Sequence, residues 1–75
     1  MTREIPIRGE MIRLGQLLKL AGVVDAGGGV KALLAGNGVV VNGEPEDRRG
    51  RQLRAGDEVQ VAGELIRVAL EDAQL

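Results

Sequence analysis

The sequence predicts an α+β protein in which two short helices are followed by several short strands. Three observations support this prediction. Apolar residues between positions 14 and 21 recur at helical spacing, and residues 58–61 follow the two-residue period of strands. An Asn-Gly pair at 42–43 indicates a tight hairpin. The predicted order is therefore strand, helix, helix and then a run of strands.

The first predicted element is a strand over residues 3–8. Ile5 and Ile7 alternate with other residues, so both point to one side of the strand. Pro6 lies between them and has no N–H group to donate to a neighbouring strand. The strand is therefore expected at an edge of the sheet.

The first helix is predicted from Arg13 onward and carries one apolar stripe. The stripe occupies positions i, i+3, i+4 and i+7, namely Leu14, Leu17, Leu18 and Ala21. Gly22 follows directly, and glycine is the residue type that most often ends a helix.

A second, shorter helix is indicated by three apolar residues facing the core and two residues turned outward: Val30, Leu33 and Leu34 inside, Lys31 and Ala35 outside. Asp25 can cap the start of this helix, and the segment 36–38, Gly-Asn-Gly, is expected to end it.

The rest of the chain is predicted to form short strands joined by turns. Residues 39–41 lead into the hairpin turn at 42–43, and the charged residues 44–54 form the hairpin return or a loop. The elements that follow are a turn at 55–57, a strand at 58–61, a turn at 63–64 and a strand at 65–70. Residues 71–75 are expected to fray.

Length and composition exclude several classes of protein. The 75 residues suffice for one domain, and the hydrophobic residues, 44% of the total, include no aromatic side chain. The absence of Cys and His removes disulfides and the commonest metal ligands, so no metal and no cofactor is expected. Because no apolar run approaches the roughly 20 residues that span a bilayer, and the N-terminus lacks a signal-peptide pattern, a cytoplasmic protein is expected.

Charge is distributed unevenly, although the net charge is only −1. Residues 13–54 contain seven basic and four acidic side chains, a local balance of +3. From residue 55 onward, five acidic side chains stand against Arg67 alone, a balance of −4. Since the choice of partner follows the local field more than the total charge, a nucleic acid stays open as a partner.

The side chains that catalysis needs are nearly absent. There is no Ser, Cys, His or Tyr, and Thr2 carries the only side-chain hydroxyl, so no nucleophilic triad can be assembled. Glu44, Glu46 and Asp47 cluster, but beside four arginines they are expected to balance charge on an exposed loop. The chain is therefore not expected to be an enzyme.

A run of glycines before Lys31 is one candidate for binding phosphate. Backbone N–H groups of Gly27 to Gly29 at the start of a helix could hold a phosphate oxygen, or the glycines could serve only a tight turn between the helices. The run also fits the G-x-G-x-x-A dinucleotide fingerprint. That reading is rejected because the βαβ unit it requires is missing.

A cluster of arginines is the second candidate, made of Arg48, Arg49, Arg51 and Arg54. Arginine contacts phosphate with two N–H groups and can stack on bases. The alternative is a solvated loop in which these arginines pair with the neighbouring acids. Composition alone favours nucleic-acid binding only slightly over that alternative.

A set of residues between Arg13 and Val61 has the order and spacing of one known family. The set comprises Arg13-Leu14, Leu17-Leu18, Gly22, Lys31-Ala32, Leu33-Leu34, Gly38-Val39, Val41-Asn42-Gly43, Gly56-Asp57, Val59 and Val61. It resembles the S4 RNA-binding domain, or αL motif. Residues 14–19, Gly27-Gly28 and Arg49-Gly50-Arg51 are most similar to the small stand-alone bacterial YaaA/YbcJ group.

The resemblance implies two helices packed on a small, bent antiparallel sheet, in a single domain of residues 1–75 with its core motif at 13–61. It also implies a non-catalytic protein that binds structured RNA, with ribosomal RNA as the first candidate and a ribosomal protein as a further contact. The RNA-binding residues expected are Arg13 and Lys19 on the first helix, Gly28 and Lys31 on the second, and Arg48, Arg49, Arg51 and Arg54 in the loop.

Three other functions compete with this one. A β-grasp sulfur carrier shares a Val-Asn-Gly-Glu hairpin, but such carriers end in Gly-Gly, whereas residues 72–75 are Asp-Ala-Gln-Leu. A helix-turn-helix DNA reader needs several polar side chains on its recognition helix, and residues 30–35 offer Lys31 alone. A protein-interaction module stays open.

Overall fold

The computed structural model describes residues 2–24, 27–36 and 38–71. The elements in chain order are β1 (Thr2–Ile7), β2 (Ile12–Arg13), α1 (Leu14–Leu20), α2 (Gly27–Ala35), β3 (Val39–Val41), β4 (Glu44–Pro45), β5 (Gln52–Leu53), β6 (Glu58–Val61) and β7 (Glu64–Leu70). The predicted α+β class, with two short helices ahead of a run of strands, is confirmed.

Five strands form the main sheet, in the order β1-β7-β6-β3-β4. Pairings among β7, β6, β3 and β4 are antiparallel, but β1 runs parallel to β7, in register from Thr2 opposite Leu65 to Ile7 opposite Leu70. The sheet is therefore mixed, and the prediction of an antiparallel sheet was wrong at this pair. Both helices and five strands intervene between β1 and β7, a connection long enough to return the chain in the same direction. The predicted edge position of β1, with Pro6, is confirmed.

A second, two-stranded sheet pairs β2 with β5, with Ile12 opposite Leu53 and Arg13 opposite Gln52. This sheet was not predicted, because residues 44–54 were interpreted as a hairpin return or loop. The hairpin return is present as β4, and the same charged segment then supplies β5. The pairing holds the segment after β4 beside the start of α1.

Helix α1 has the predicted apolar stripe, since Leu14, Leu17 and Leu18 are fully buried and Ala21 is nearly so. The helix ends at Gly22 as predicted. The Gly22 N–H group donates to the Lys19 carbonyl at 3.1 Å, and the N–H group of Val23 donates to the carbonyl of Leu18 at 3.0 Å. These two bonds form the Schellman motif, which satisfies carbonyls at the helix end.

Helix α2 also presents the predicted faces: Val30 and Leu34 are buried, Leu33 is half-buried, and Lys31 and Ala35 are exposed. It ends at Ala35, before the predicted stop at 36–38. The predicted cap Asp25, the Asn37 of the stop and residues 72–75 of the predicted tail lie outside the described residues.

The core lies between the helices and the inner face of the main sheet. It is aliphatic, and its sheet members alternate with outward-facing residues along each strand: Ile7, Val39, Val41, Val59, Val61, Ile66 and Val68. Burying each such side chain contributes about 1.5–3 kcal/mol. No helix within the described ranges is long and apolar enough to cross a membrane.

Two tight hairpin turns join neighbouring strands, one between β3 and β4 and one between β6 and β7. Asn42 and Gly43 have φ values of 50° and 85°, which matches the tight turn predicted from this pair. The next turn uses Ala62 and Gly63, at 53° and 78°, one position earlier than predicted, so β7 begins at Glu64.

Candidate nucleic-acid interface

The predicted site residues come from three elements. Arg13 directly precedes α1 and Lys19 lies in its last turn, whereas Lys31 lies on the exposed side of α2. Arg48, Arg49 and Arg51 belong to the segment 46–51 between β4 and β5, referred to below as the Arg loop. Arg54 follows β5, and Gly28 is the second residue of α2, with its exposure outside the described part of the chain.

Arg13, Lys19 and Arg49 line one cleft of about 260 Å³ between α1 and the Arg loop, completed by Gly15, Gln16, Val30 and Gly50. The Gln16 side-chain oxygen accepts the Arg13 backbone N–H group at 3.2 Å. Three of the polar side chains that line the cleft are cations, and each of them donates hydrogen bonds. Such a cleft suits a phosphate oxygen.

A second cleft, of about 510 Å³, lies on the other side of Arg49. It is lined by Lys31, Leu34 and Ala35 of α2 together with Asp47 and Arg49 of the Arg loop. Arg49 therefore borders both clefts, one of which it shares with Arg13 and Lys19 and the other with Lys31. The structure thus brings together four of the predicted residues: Arg13, Lys19, Lys31 and Arg49.

Backbone hydrogen bonds hold the Arg loop against α1. The first N–H groups of a helix have no partner within the helix. Here the N–H groups of Leu14 and Gly15 donate to the carbonyls of Arg51 and Arg49, both at 2.9 Å. A Cβ atom on Gly15 would lie 3.4 Å from the Arg49 carbonyl oxygen, so glycine permits this close approach. The helix start and the loop are consequently one unit.

Glu46 is buried within the Arg loop, with 6% of its side chain exposed. Its carboxylate accepts the backbone N–H groups of Asp47 and Arg48, both at 3.1 Å. It also accepts two guanidinium hydrogen bonds from Arg48, at 3.0 and 3.3 Å, and one from Arg51, at 2.8 Å. The Glu46 N–H group donates to the Val39 carbonyl at 3.0 Å, which ties the loop to β3.

These hydrogen bonds determine how Glu46 titrates. The pKa of Glu46 falls from 4.5 to about 2. The largest cause is the side-chain hydrogen bond from Arg48; burial raises the pKa, and the side-chain hydrogen bond from Arg51 lowers it further. The same contact raises the pKa of Arg48 above its ordinary value. Glu46 is therefore an anion that the fold stabilises at neutral pH.

The structure corrects one expectation about the Arg loop. Glu46 was expected on an exposed loop, but it is buried, because its carboxylate finds five donors that replace water. Arg48 and Arg51 pair with Glu46, which is the contact that the alternative of arginines paired with neighbouring acids predicts. The structure does not bring Arg54 to the clefts described above. Its backbone N–H and carbonyl groups bond instead to Asp57 across the next turn.

Sequence reasoning did not name Gly15 or Gln16 as site residues, and it named Glu46 only as one of three acids that balance the charge of the arginines. A signal existed for Gln16, which lies three residues after Arg13, the spacing at which a Gln side chain reaches back to the N–H group at a helix start. The Gly15 N–H group bonds to the Arg49 carbonyl, 34 positions along the chain, and no local pattern reveals such a bond. The described bonds of Glu46 go to nearby residues, namely Val39, Asp47, Arg48 and Arg51, so an acid beside arginines was a local signal for its ion pairs.

Comparison with known proteins identifies the family. The model of the S4 domain family matches residues 5–69. The chain belongs to the S4 domain family. Over 63 residues it is 51% identical to the probable ribosome maturation protein RlbA of Bacillus subtilis (strain 168), an alignment covering 84% of this chain and 89% of that protein. The predicted resemblance to a small stand-alone S4 protein is confirmed.

Proposed function

We propose that this S4-domain protein binds structured RNA without catalysing a reaction, with ribosomal RNA as the first candidate. The observation that carries the proposal is the donor-lined cleft, where cations from α1 and the Arg loop meet around one space. Membership of the S4 domain family supports an RNA partner. The similarity to a protein named as a probable ribosome maturation protein supports the choice of ribosomal RNA.

In this proposal, the RNA backbone crosses the Arg loop and contacts both clefts. Arg13, Lys19 and Arg49 bind phosphate in the first cleft, and Lys31 with the Gly28 N–H group binds phosphate at α2. Arg48 and Arg51 support the loop, and Arg54, the last member of the set inferred from the sequence, lies outside both clefts. About three to five phosphate contacts give a slope of log K against log salt of roughly −2 to −4, which means modest affinity at physiological salt.

The proposal extends to the setting in which the protein works. Residues 1–75 act as one S4-like unit with the core motif at 13–61, in the cytoplasm, where ribosomes assemble. A ribosomal protein beside the bound RNA is a second contact. The absence of Ser, Cys, His and Tyr supports a role in binding rather than in catalysis.

The decisive experiment is a salt titration of binding to total ribosomal RNA, with duplex DNA as the competing ligand. We expect binding to RNA that exceeds binding to DNA and weakens log-linearly with salt. Absence of binding to either at about 50 mM salt, where electrostatic contacts are strongest, would overturn the proposal and favour a protein partner.

A pair of charge reversals tests the placement of the interface. Arg49→Glu should weaken RNA binding at least about tenfold, since a hydrogen bond to a charged group contributes about 1.5–3 kcal/mol. Arg8→Glu makes the same change in net charge at an exposed residue outside both clefts. Equal losses for the two variants would show that net charge, and not the cleft, determines binding.

A further inference from the structure

A buried carboxylate beneath an RNA-binding surface is unexpected, because a negative charge there opposes binding of phosphate. Glu46 sits at the base of the Arg loop and neutralises part of the positive charge that the loop carries. Its presence calls for a function that offsets this electrostatic cost.

We propose that Glu46 is a positioning residue for RNA binding, which takes Arg48 and Arg51 as its counter-ions and fixes the Arg loop so that Arg49 meets the RNA. This inference rests on the proposed RNA-binding function. It divides the neighbouring arginines into two that organise the loop and one that contacts the ligand.

The side-chain contacts of the three arginines support this division. Arg48 directs both its Nε and Nη2 atoms to Glu46, although 71% of its side chain is exposed. Arg51 is 31% exposed and donates to Glu46 Oε1, the oxygen that also accepts from Arg48 Nη2. Among the described residues, the Arg49 side chain has no hydrogen-bond or ion-pair partner, and it borders both clefts.

The backbone contacts explain how Glu46 acts on Arg49. The carboxylate accepts the N–H groups of Asp47 and Arg48, which fixes the chain direction just before Arg49. The carbonyls of Arg49 and Arg51 are held by the first N–H groups of α1. Arg49 is thus fixed on both sides, and its entropy loss on binding RNA is smaller than that of an arginine on a free loop.

If Glu46 positions the loop, neutralising it should change the affinity for RNA in the direction opposite to the one that electrostatics alone predicts. Neutralising Glu46 removes a negative charge and releases two arginines, so charge alone predicts tighter RNA binding. If Glu46 positions the loop, neutralising it weakens binding, because the ordering of Arg49 is lost. The measured direction of change therefore separates the two explanations.

The first test compares two nearby acids. Glu46→Gln and Glu44→Gln make the same chemical change, but the Glu44 side chain is exposed, lies outside both clefts and accepts none of the described hydrogen bonds. Using total ribosomal RNA as the probe, we expect unchanged or tighter binding for Glu44→Gln. For Glu46→Gln, checked as folded by circular dichroism, we expect at least about a fivefold higher Kd. A folded Glu46→Gln protein that binds as tightly as Glu44→Gln would overturn the inference.

The second test does not depend on the folding of a Glu46 variant. Arg48→Gln and Arg49→Gln each remove one exposed cation. The slope of log K against log salt should become shallower by about 0.7–0.9 for Arg49→Gln and stay near wild type for Arg48→Gln. Equal changes would overturn the positioning role while leaving RNA binding intact. A wild-type protein that binds no RNA would instead overturn the proposed function.

Discussion

Acid unfolding measures how strongly the fold depends on the buried Glu46 carboxylate. The pKa of Glu46 is lowered from 4.5 to about 2 in the folded protein, mainly by the hydrogen bond from Arg48, against the opposing effect of burial. Because the folded-state pKa is the lower one, the stabilisation is complete above pH 4.5. It is lost as the pH falls through about 2.

The size of the effect follows from the two pKa values. A difference of about 2.5 units corresponds to about 3 kcal/mol at pH 7. The same linkage leaves less than half of this stabilisation at pH 3 and only a small fraction of it at pH 2. Most of the loss therefore falls below pH 4, in a range that urea titration can reach.

The assay is urea denaturation of wild type and Glu46→Gln at several pH values between 7 and 2. All other carboxylates are present in both proteins, so to a first approximation their contributions cancel in the difference between the two unfolding free energies. We expect that difference to shrink from about 3 kcal/mol to nearly zero across this range. A difference that stays constant with pH would refute the assignment of a strongly lowered pKa to Glu46.

Three further predictions concern the core, a turn and the limits of the interface. Leu53→Ala should lower the free energy of unfolding, measured by urea denaturation, by about 2–5 kcal/mol, whereas Leu70→Ala, at an exposed residue, should lower it far less. Equal losses would place the β2–β5 pair outside the core. Gly43→Ala should cost about 1–2 kcal/mol because of its φ of 85°, whereas Gly50→Ala, whose Cβ would meet nothing within 4 Å, should change stability little. Arg54→Gln should leave the salt slope of RNA binding unchanged; a shallower slope would return Arg54 to the interface.

Elements defined by local patterns could be predicted from the sequence. The stripe of α1, the Schellman end at Gly22 and the Asn42-Gly43 hairpin depend on residues a few positions apart, and all three are found. The parallel pairing of β1 with β7 and the short β2–β5 sheet join distant segments. Alternation indicates that a strand exists but does not name its partner, so these pairings could not be predicted.

The candidate site was predicted as a set of charges rather than as an arrangement. The sequence treats Arg48, Arg49 and Arg51 alike, since each is an arginine in one charged segment. Arg48 and Arg51 differ from Arg49 because the turn of the loop brings them to the carboxylate of Glu46, which lies two residues before Arg48 and five before Arg51. Loop geometry of this kind depends on the contact with α1, which is not encoded in the spacing of the loop residues.

The two faces of the main sheet reconcile a net negative charge with the proposed RNA binding. The inner face packs on the helices, whereas Glu4, Arg67 and Glu58 lie in register across the outer face, with Arg67 bonded to Glu58 at 2.6 Å. An approaching RNA strand meets an excess of carboxylates there and a group of cations on the helical side. A packed layer is about 10 Å thick, close to the Debye length at about 0.1 M salt, so the outer carboxylates weaken the field at the clefts only modestly. If the protein binds RNA as proposed, charge segregation of this kind would orient the domain on it, and the total of −1 carries little information about affinity.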